Sequence, residues 1–393
     1  MIEEYLFMQV TDYRTAIISD LSEISANQWD KLHQANFNDD INPFLSYAYL
    51  HALEKSGSAC ANTGWRTNFL TLWQGSELHA AIPLYLKSHS YGEYVFDWAW
   101  ANAYQQHNLP YYPKLVSAIP FTPVTGIRLL ALSDTARAAL VKTLCRYQKD
   151  SNTSSCHVLF TTKEQAMQLQ DTGFMVRYGV QFHWENEAYR DFSDFLSRLE
   201  QKKRKNILAE RRKVREAGIH FIHKTGHAIS EQDWLFFVQC YQNTYQQHGA
   251  GSGYLNLDFF LTIGTSMPDN LLLIIAERNG KPIAASLLFH SKNTVYGRYW
   301  GCLEYHPCLH FETAYYQPLE FCINNKIACF EGGAQGEHKM ARGFLPQTTY
   351  SAHSLAHPAF ANAVELFLAR EQDGIQNYMD ELHEHNPFLS HRA

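Results

Sequence analysis

The chain has 393 residues, 46% of them hydrophobic and 18% charged, a balance that suits packed globular domains and excludes a disordered or collagen-like polymer. Its length exceeds what one domain usually holds, so two are expected, at residues 1–190 and 191–393. The first residues are acidic where a secretory leader would be basic, and no apolar run is long enough to span a bilayer, so the expected location is the cytoplasm.

In chain order, Ser46 is placed to cap a helix whose Tyr47, Leu50 and Leu53 recur at helical spacing before Gly57. From Phe69 the alternation predicts a three-stranded meander, with a turn at Gly75, Ala80-Ala81 in the second strand, a turn at Tyr91-Gly92, and an aromatic third strand, "FDWAWANAY". Trp98, Trp100, Tyr104, Tyr111 and Tyr112 are either a platform for a sugar, peptide or acyl chain, with Asp97 orienting an amine, or core rings. Ser133 or Asp134 caps the next helix.

The formal charge of -6 is unevenly spread, because the stretch from Arg198 to Glu216 carries nine lysines and arginines against three glutamates. It predicts a basic helix over about 194–218, stopped by Gly218, with Leu196, Leu199, Ile207 and Val214 near one face. Its cations Lys202, Lys203, Arg204, Lys205, Arg211 and Arg212 either form a solvated surface or hold phosphates, with Lys203 and Arg204 as cofactor-binding candidates. The stretch has no aromatic residue on which a base would stack.

A helix over "DWLFFVQCYQNTYQQHG" then precedes a second meander from Leu272, which repeats the first: Asn279-Gly280 answers Gly75, Ala284-Ala285 answers Ala80-Ala81, and Tyr296-Gly297 answers Tyr91-Gly92. Its third strand carries Arg298, Tyr299 and Trp300 as substrate-binding candidates. A spacing of roughly 205 residues suits a duplicated domain rather than a solenoid. In "EYHPCLHFE", the set His306, Cys308, His310 and Glu312 has metal-ligating types, yet Pro307 and a helix start near Phe311 disrupt the alternation, and no metal is expected. His310 and Glu312 are instead acid/base or positioning candidates at a helix start. A helix with a kink or break at Pro318 follows, then a strand ending in "FEGGAQGEHKMARGF".

That stretch lacks the hydroxyl residue of a P-loop. Gly332 and Gly333 permit close approach of a ligand or cofactor at a strand end, Glu331 and Glu337 are candidate bases, and Lys339 and Arg342 are candidate carboxylate or phosphate holders. The eight cysteines form no CxxC pair and read as buried free thiols, as at Cys145, Cys240 and Cys322.

The runs from Asp97 to Leu130, from Arg298 to Ile323 and from Phe330 to Phe344, with the basic helix between them, resemble the bacterial FemAB-like family of predicted N-acyltransferases. The resemblance covers nearly the whole chain. It implies a mixed α/β (α+β) fold of two tandem GNAT-like domains, each with a mostly antiparallel sheet flanked by helices. It also implies transfer of an acyl or aminoacyl group to an amine, on a peptide or peptidoglycan precursor, with acyl-CoA or aminoacyl-tRNA as co-substrate. Transfer RNA would then engage the basic helix. The nearest match to a GNAT pyrophosphate loop, "RYWGCL", falls in a predicted strand and has Leu303 where glycine or alanine is needed, so either donor remains open. Backbone N–H groups of a splayed strand from Trp300 to Cys302 are expected to face an oxyanion. A non-catalytic module that binds a cell-wall precursor or peptide is the alternative.

Overall fold

The computed structural model describes residues 12–37, 40–247, 249, 251, 253–333 and 336–389. The chain divides into two compact units, Met1–Gly179 with Thr348–Asn377, and Val180–Gln347 with Tyr378–Ala393. The division thus falls before residue 190, and a late segment returns to the first unit because Ala352–Leu355 pairs antiparallel with the strand Ser155–Thr161. The fold is mixed α/β with mostly antiparallel sheets flanked by helices.

In the first unit, the strands Arg14–Ile18, Phe69–Gln74, Glu77–Ile82 and Leu130–Ala131 form an antiparallel sheet in that order. The helix Asp134–Asp150, capped by Ser133, contributes Ala136, Leu140 and Leu144 to the same core as Leu70, Leu72, Ala80 and Ile82. The predicted third strand is a correction: Asp97 precedes a helix, Trp98–Gln106. Trp100 and Tyr104, four residues apart, share one helical face and pack with Tyr111, Val364 and Leu368. Tyr91-Gly92 accordingly sits in a turn, whereas Tyr296-Gly297 lies within a strand.

The second unit carries the complete meander, Leu271–Arg278, Lys281–His290 and Thr294–Cys302, bordered by Ile219–Thr225 on one side and the short parallel strand Cys329–Glu331 on the other. Ala284 and Ala285 face Ala276 and Ile275 across the ladder, as Ala80 and Ala81 face Leu72 and Thr71 in the first unit. The duplicated hairpin is therefore real up to its second strand. The basic region is two helices, Phe192–Arg198 and Gln201–Glu216, because Leu199 leaves the first in an extended conformation and bridges Phe388.

Gly301 fixes how the helix Glu231–Gln247 meets this sheet. A Cβ at Gly301 would lie 2.0 Å from the Cys240 carbonyl oxygen, a backbone atom that cannot swing away. Gly301→Ala is therefore expected to destabilise the protein by about 3 kcal/mol, the upper range for overpacking. Gly374→Ala, on a helix face with nothing within 4 Å, should be neutral or mildly stabilising. Urea denaturation of the two variants checks the contrast.

Candidate functional site

In the second unit, the strand end Glu331, the loop at Gly332 and Gly333, the 3-10 segment Glu337–Arg342 and the helical start at Leu309 converge. Cys308, in the left-handed region at φ 68°, turns the chain into three contiguous helical pieces: Leu309–Phe311, a π-turn over Glu312–Tyr316, and Gln317–Asn324. The π-turn falls just ahead of Pro318, whose ring would otherwise crowd the preceding turn, so Pro318 reshapes the helix without ending it.

His310 packs its ring 4.6 Å from that of Trp300 and 5.5 Å from that of Tyr315. Burial, then the charges near His338, Arg342 and Lys339, lowers its pKa to about 4, so the imidazole is neutral at pH 7. Lys339 is buried, and its Nζ donates to the Gly333 carbonyl at 2.8 Å. Burial and the neighbouring Arg298 lower its pKa to about 8. A Cβ on Gly332 would come 3.3 Å from the Lys339 Cδ and 3.0 Å from the Phe344 ring, so glycine there lets the lysine lie close over the strand end.

Arg342 is held from three sides. It donates to the His338 carbonyl at 2.7 Å and to Glu210 at 3.0 and 3.1 Å, and its guanidinium lies 3.5 Å from the Phe311 ring centroid. Glu331 ends the strand that pairs with Tyr296 on one side and His183 on the other. His183, which no sequence motif marks, is pushed down to about 4 by burial and by Lys339. The buried His183 Nε2 and Trp300 Nε1 have no protein hydrogen-bond partner, which marks them as places for water or ligand polar atoms.

Other candidates are engaged elsewhere. Glu312 is buried and takes two nitrogens of Arg211 at 2.9–3.1 Å plus the Gln317 amide at 2.8 Å, so it is a structural anchor of the basic helix. Glu337 is exposed and accepts from the Tyr378 hydroxyl at 2.7 Å. Tyr299 packs into Tyr241 and Phe260 at 5.4 and 6.1 Å and is a core ring, with the Arg298 guanidinium 5.1 Å from its centroid at the register shift in that strand. Trp300 to Cys302 stay in register with Ser286 to Ala284 on one edge, while on the other edge the pairing with Cys329–Glu331 ends at Tyr296. "RYWGCL" lies within and just after that strand. The side chains of "EYHPCLHFE" diverge: His306 bonds Glu304 at 2.7 Å while Glu312 turns to Arg211, and no metal-ligating trio forms among the described residues. Lys203 and Arg204 are half-buried on the basic helix. Ala334 and Gln335 of the glycine-rich stretch lie outside the described residues.

Asp97, Trp98, Trp100, Tyr111 and Tyr112 belong to the first unit, where sequence reasoning missed a buried ionic network. Lys114 Nζ donates to Glu93 Oε2 and Ser90 Oγ, each at 2.8 Å, and to Asp97. The Tyr111 hydroxyl donates to Asp97 at 2.6 Å, and the ring nitrogens of His157 and His353 meet at 2.8 Å. Lys87 sits 3.9 Å from Glu93 and 3.6 Å over the Trp65 ring. Asp97 is held down to about 2, its burial being outweighed by Lys114 and His157. Trp98 is exposed, while Trp100 and Tyr111 are core.

Burial holds His33 at about 4, His157 at about 3 and His353 well below its ordinary value, as it does His183 and His310. Because these folded-state values lie below the unfolded value of 6.5, the unfolded chain binds more protons between pH 6.5 and about 4. Stability is thus intact above pH 6.5 and is expected to fall below it by about 1.4 kcal/mol per pH unit for each histidine involved. Denaturant midpoints measured from pH 7 to 5 check the slope.

The FemAB-like family, described as peptidoglycan biosynthesis/recognition, matches residues 20–390, and the chain belongs to it. The structure resembles that of FemX, with a TM-score of 0.55 at 10% identity over 87% of this chain and 98% of that one. The C-terminal domain of a putative lysylphosphatidylglycerol synthetase from Agrobacterium fabrum gives 0.53 at 10% identity, covering 89% and 97%. L-PGS from Bacillus licheniformis gives 0.50 at 12% identity, covering 84% and 98%. Identities this low define a shared fold. No curated protein matches the sequence. Among the described residues, no helix is long and apolar enough to cross a membrane.

Proposed function

We propose that the protein is an N-acyltransferase that moves an acyl or aminoacyl group from a thioester or ester donor to an amine on a peptide or peptidoglycan precursor. Membership of a peptidoglycan-related family supports the acceptor class. The observation that carries the chemistry is the neutral His310 against Trp300, whose Nε1 has no protein hydrogen-bond partner, together with the buried Lys339 over the glycine-rich strand end that Glu331 closes.

In this reading the amine nitrogen attacks the donor carbonyl carbon, and the new C–N bond places negative charge on the carbonyl oxygen. Lys339 and the Trp300 N–H stabilise that oxyanion. Glu331 takes the proton lost by the amine. The C–S or C–O bond to the donor then breaks, and the proton passes from Glu331 to the departing thiolate or alkoxide. His310, neutral at pH 7, orients the acceptor by hydrogen bonding without adding charge.

Acyl-CoA and aminoacyl-tRNA are the two donors consistent with this chemistry. Thermal unfolding with CoA and a panel of acyl-CoA thioesters separates them, since a ligand at about 100 times its Kd adds roughly 2.7 kcal/mol. A thioester-dependent rise in Tm is expected for a CoA donor. A rise only with aminoacyl-tRNA selects the ester donor, and no rise with either contradicts the reading.

A further inference from the structure

The second unit holds an open groove of about 770 Å³, none of whose lining residues is assigned to the transfer step. It is bounded by the basic helix Gln201–Glu216, by Ile219, His220 and Phe221 of the adjoining strand, and by the helical pieces that carry Glu312, Gln317 and Glu320. This volume falls in the range of small-molecule pockets. Lys205 and Arg212 are seven residues apart, hence two turns apart on one helix face, and Leu208 and Arg215 repeat that spacing beside them.

The charge of the groove is set by which ions are already matched. Its two carboxylates, Glu312 and Glu320, are both taken by Arg211, at 2.9 and 2.8 Å. Arg212 keeps only a loose, exposed contact of 3.8 Å with Glu216. Lys205 and Arg215 have no ion-pair partner among the described residues. Three cations therefore line the groove with little compensation, and His220 adds a further polar group. Beneath them the lining is apolar: Val214 and Ile219 are buried, Phe221 is half-buried, and Leu208 is 51% exposed in the middle of the cationic face. Phe221 packs against the core and also lines the groove, so that Leu208 and Phe221 add apolar surface beside the cations.

We propose that this groove binds a phosphorylated nucleoside, with its phosphates on Lys205, Arg212 and Arg215 and its ring system against Leu208 and Phe221. Cations spread over about 15 Å of helix match a short phosphate chain rather than a polynucleotide, which needs an extended track and repeated stacking platforms. Lys203 and Arg204, the phosphate-holding candidates from the sequence, do not line the groove.

Calorimetric titration of the full chain with ATP, inorganic tripolyphosphate and a short single-stranded oligouridylate tests the assignment without any transfer assay, so it stands or falls separately from the acyltransferase reading. One ATP per chain is expected, bound about tenfold or more tighter than tripolyphosphate because the ring contacts are added. Arg212→Glu and Arg215→Glu should each weaken ATP about tenfold or more. Leu208→Ala should weaken ATP while leaving tripolyphosphate unchanged, and Lys149→Glu, in the other unit, should change neither. Equal affinity for ATP and tripolyphosphate would reduce the groove to a bare anion patch. Oligouridylate binding that ATP cannot displace would make it a nucleic-acid surface, and absence of binding to all three probes would refute it. Each of these three outcomes overturns the proposal.

Discussion

Replacing Lys114 with methionine is expected to destabilise the protein by about 3–5 kcal/mol, through the first unit. The ammonium group is fully buried and is the shared partner of Glu93, Asp97 and Ser90. Removing it leaves two carboxylates in the core, with Lys87 3.9 Å from Glu93 as the remaining nearby ammonium. The cost is that of uncompensated charge rather than of lost attraction, so neutralising the carboxylates together with the lysine should recover much of it. The comparison of Lys114→Met with a Lys114→Met/Glu93→Gln/Asp97→Asn variant in urea makes this visible. A loss below about 1 kcal/mol for the single variant would show that the network is not an obligatory part of the core.

Glu331→Gln is the substitution with the largest expected effect on turnover, a fall of about 10²–10⁴-fold, because the amide keeps the shape of the carboxylate but cannot take the amine proton. Stability should change little. Glu337→Gln provides the contrast: that side chain is exposed and accepts from the Tyr378 hydroxyl at 2.7 Å, so turnover should stay within about threefold. Full activity in both variants would remove the carboxylate base from the mechanism.

The parts of the fold legible in the sequence are those with local periodicity or a local cap. The helix after Ser46, the helix after Ser133, the duplicated hairpin with its paired alanines and the strand before Gly332 all follow from short-range pattern. "FDWAWANAY" misleads because its tryptophans alternate as in a strand, whereas the spacing that decides the packing is the four residues from Trp100 to Tyr104. The site was half legible. Glu331, Gly332, Lys339 and Arg342 sit in one glycine-rich run, but His183 reaches Glu331 only through a long-range strand pairing that no local pattern encodes. The pairing of Glu312 with Arg211, about a hundred residues away, is invisible to local reading. The Lys114 network was missed for the same reason: lysines and carboxylates far apart in sequence are ordinarily read as surface groups.

The most direct measurement of the central claim is amide formation itself, with a labelled acyl or aminoacyl group supplied on CoA or on tRNA and an amine-bearing peptidoglycan precursor peptide as acceptor. Enzyme-dependent label on the peptide amine is expected from one of the two donors, lost in Glu331→Gln and retained in Glu337→Gln. Tight binding of the precursor peptide with no transfer from either donor would contradict that claim, and would make the protein a binding module built on a transferase fold.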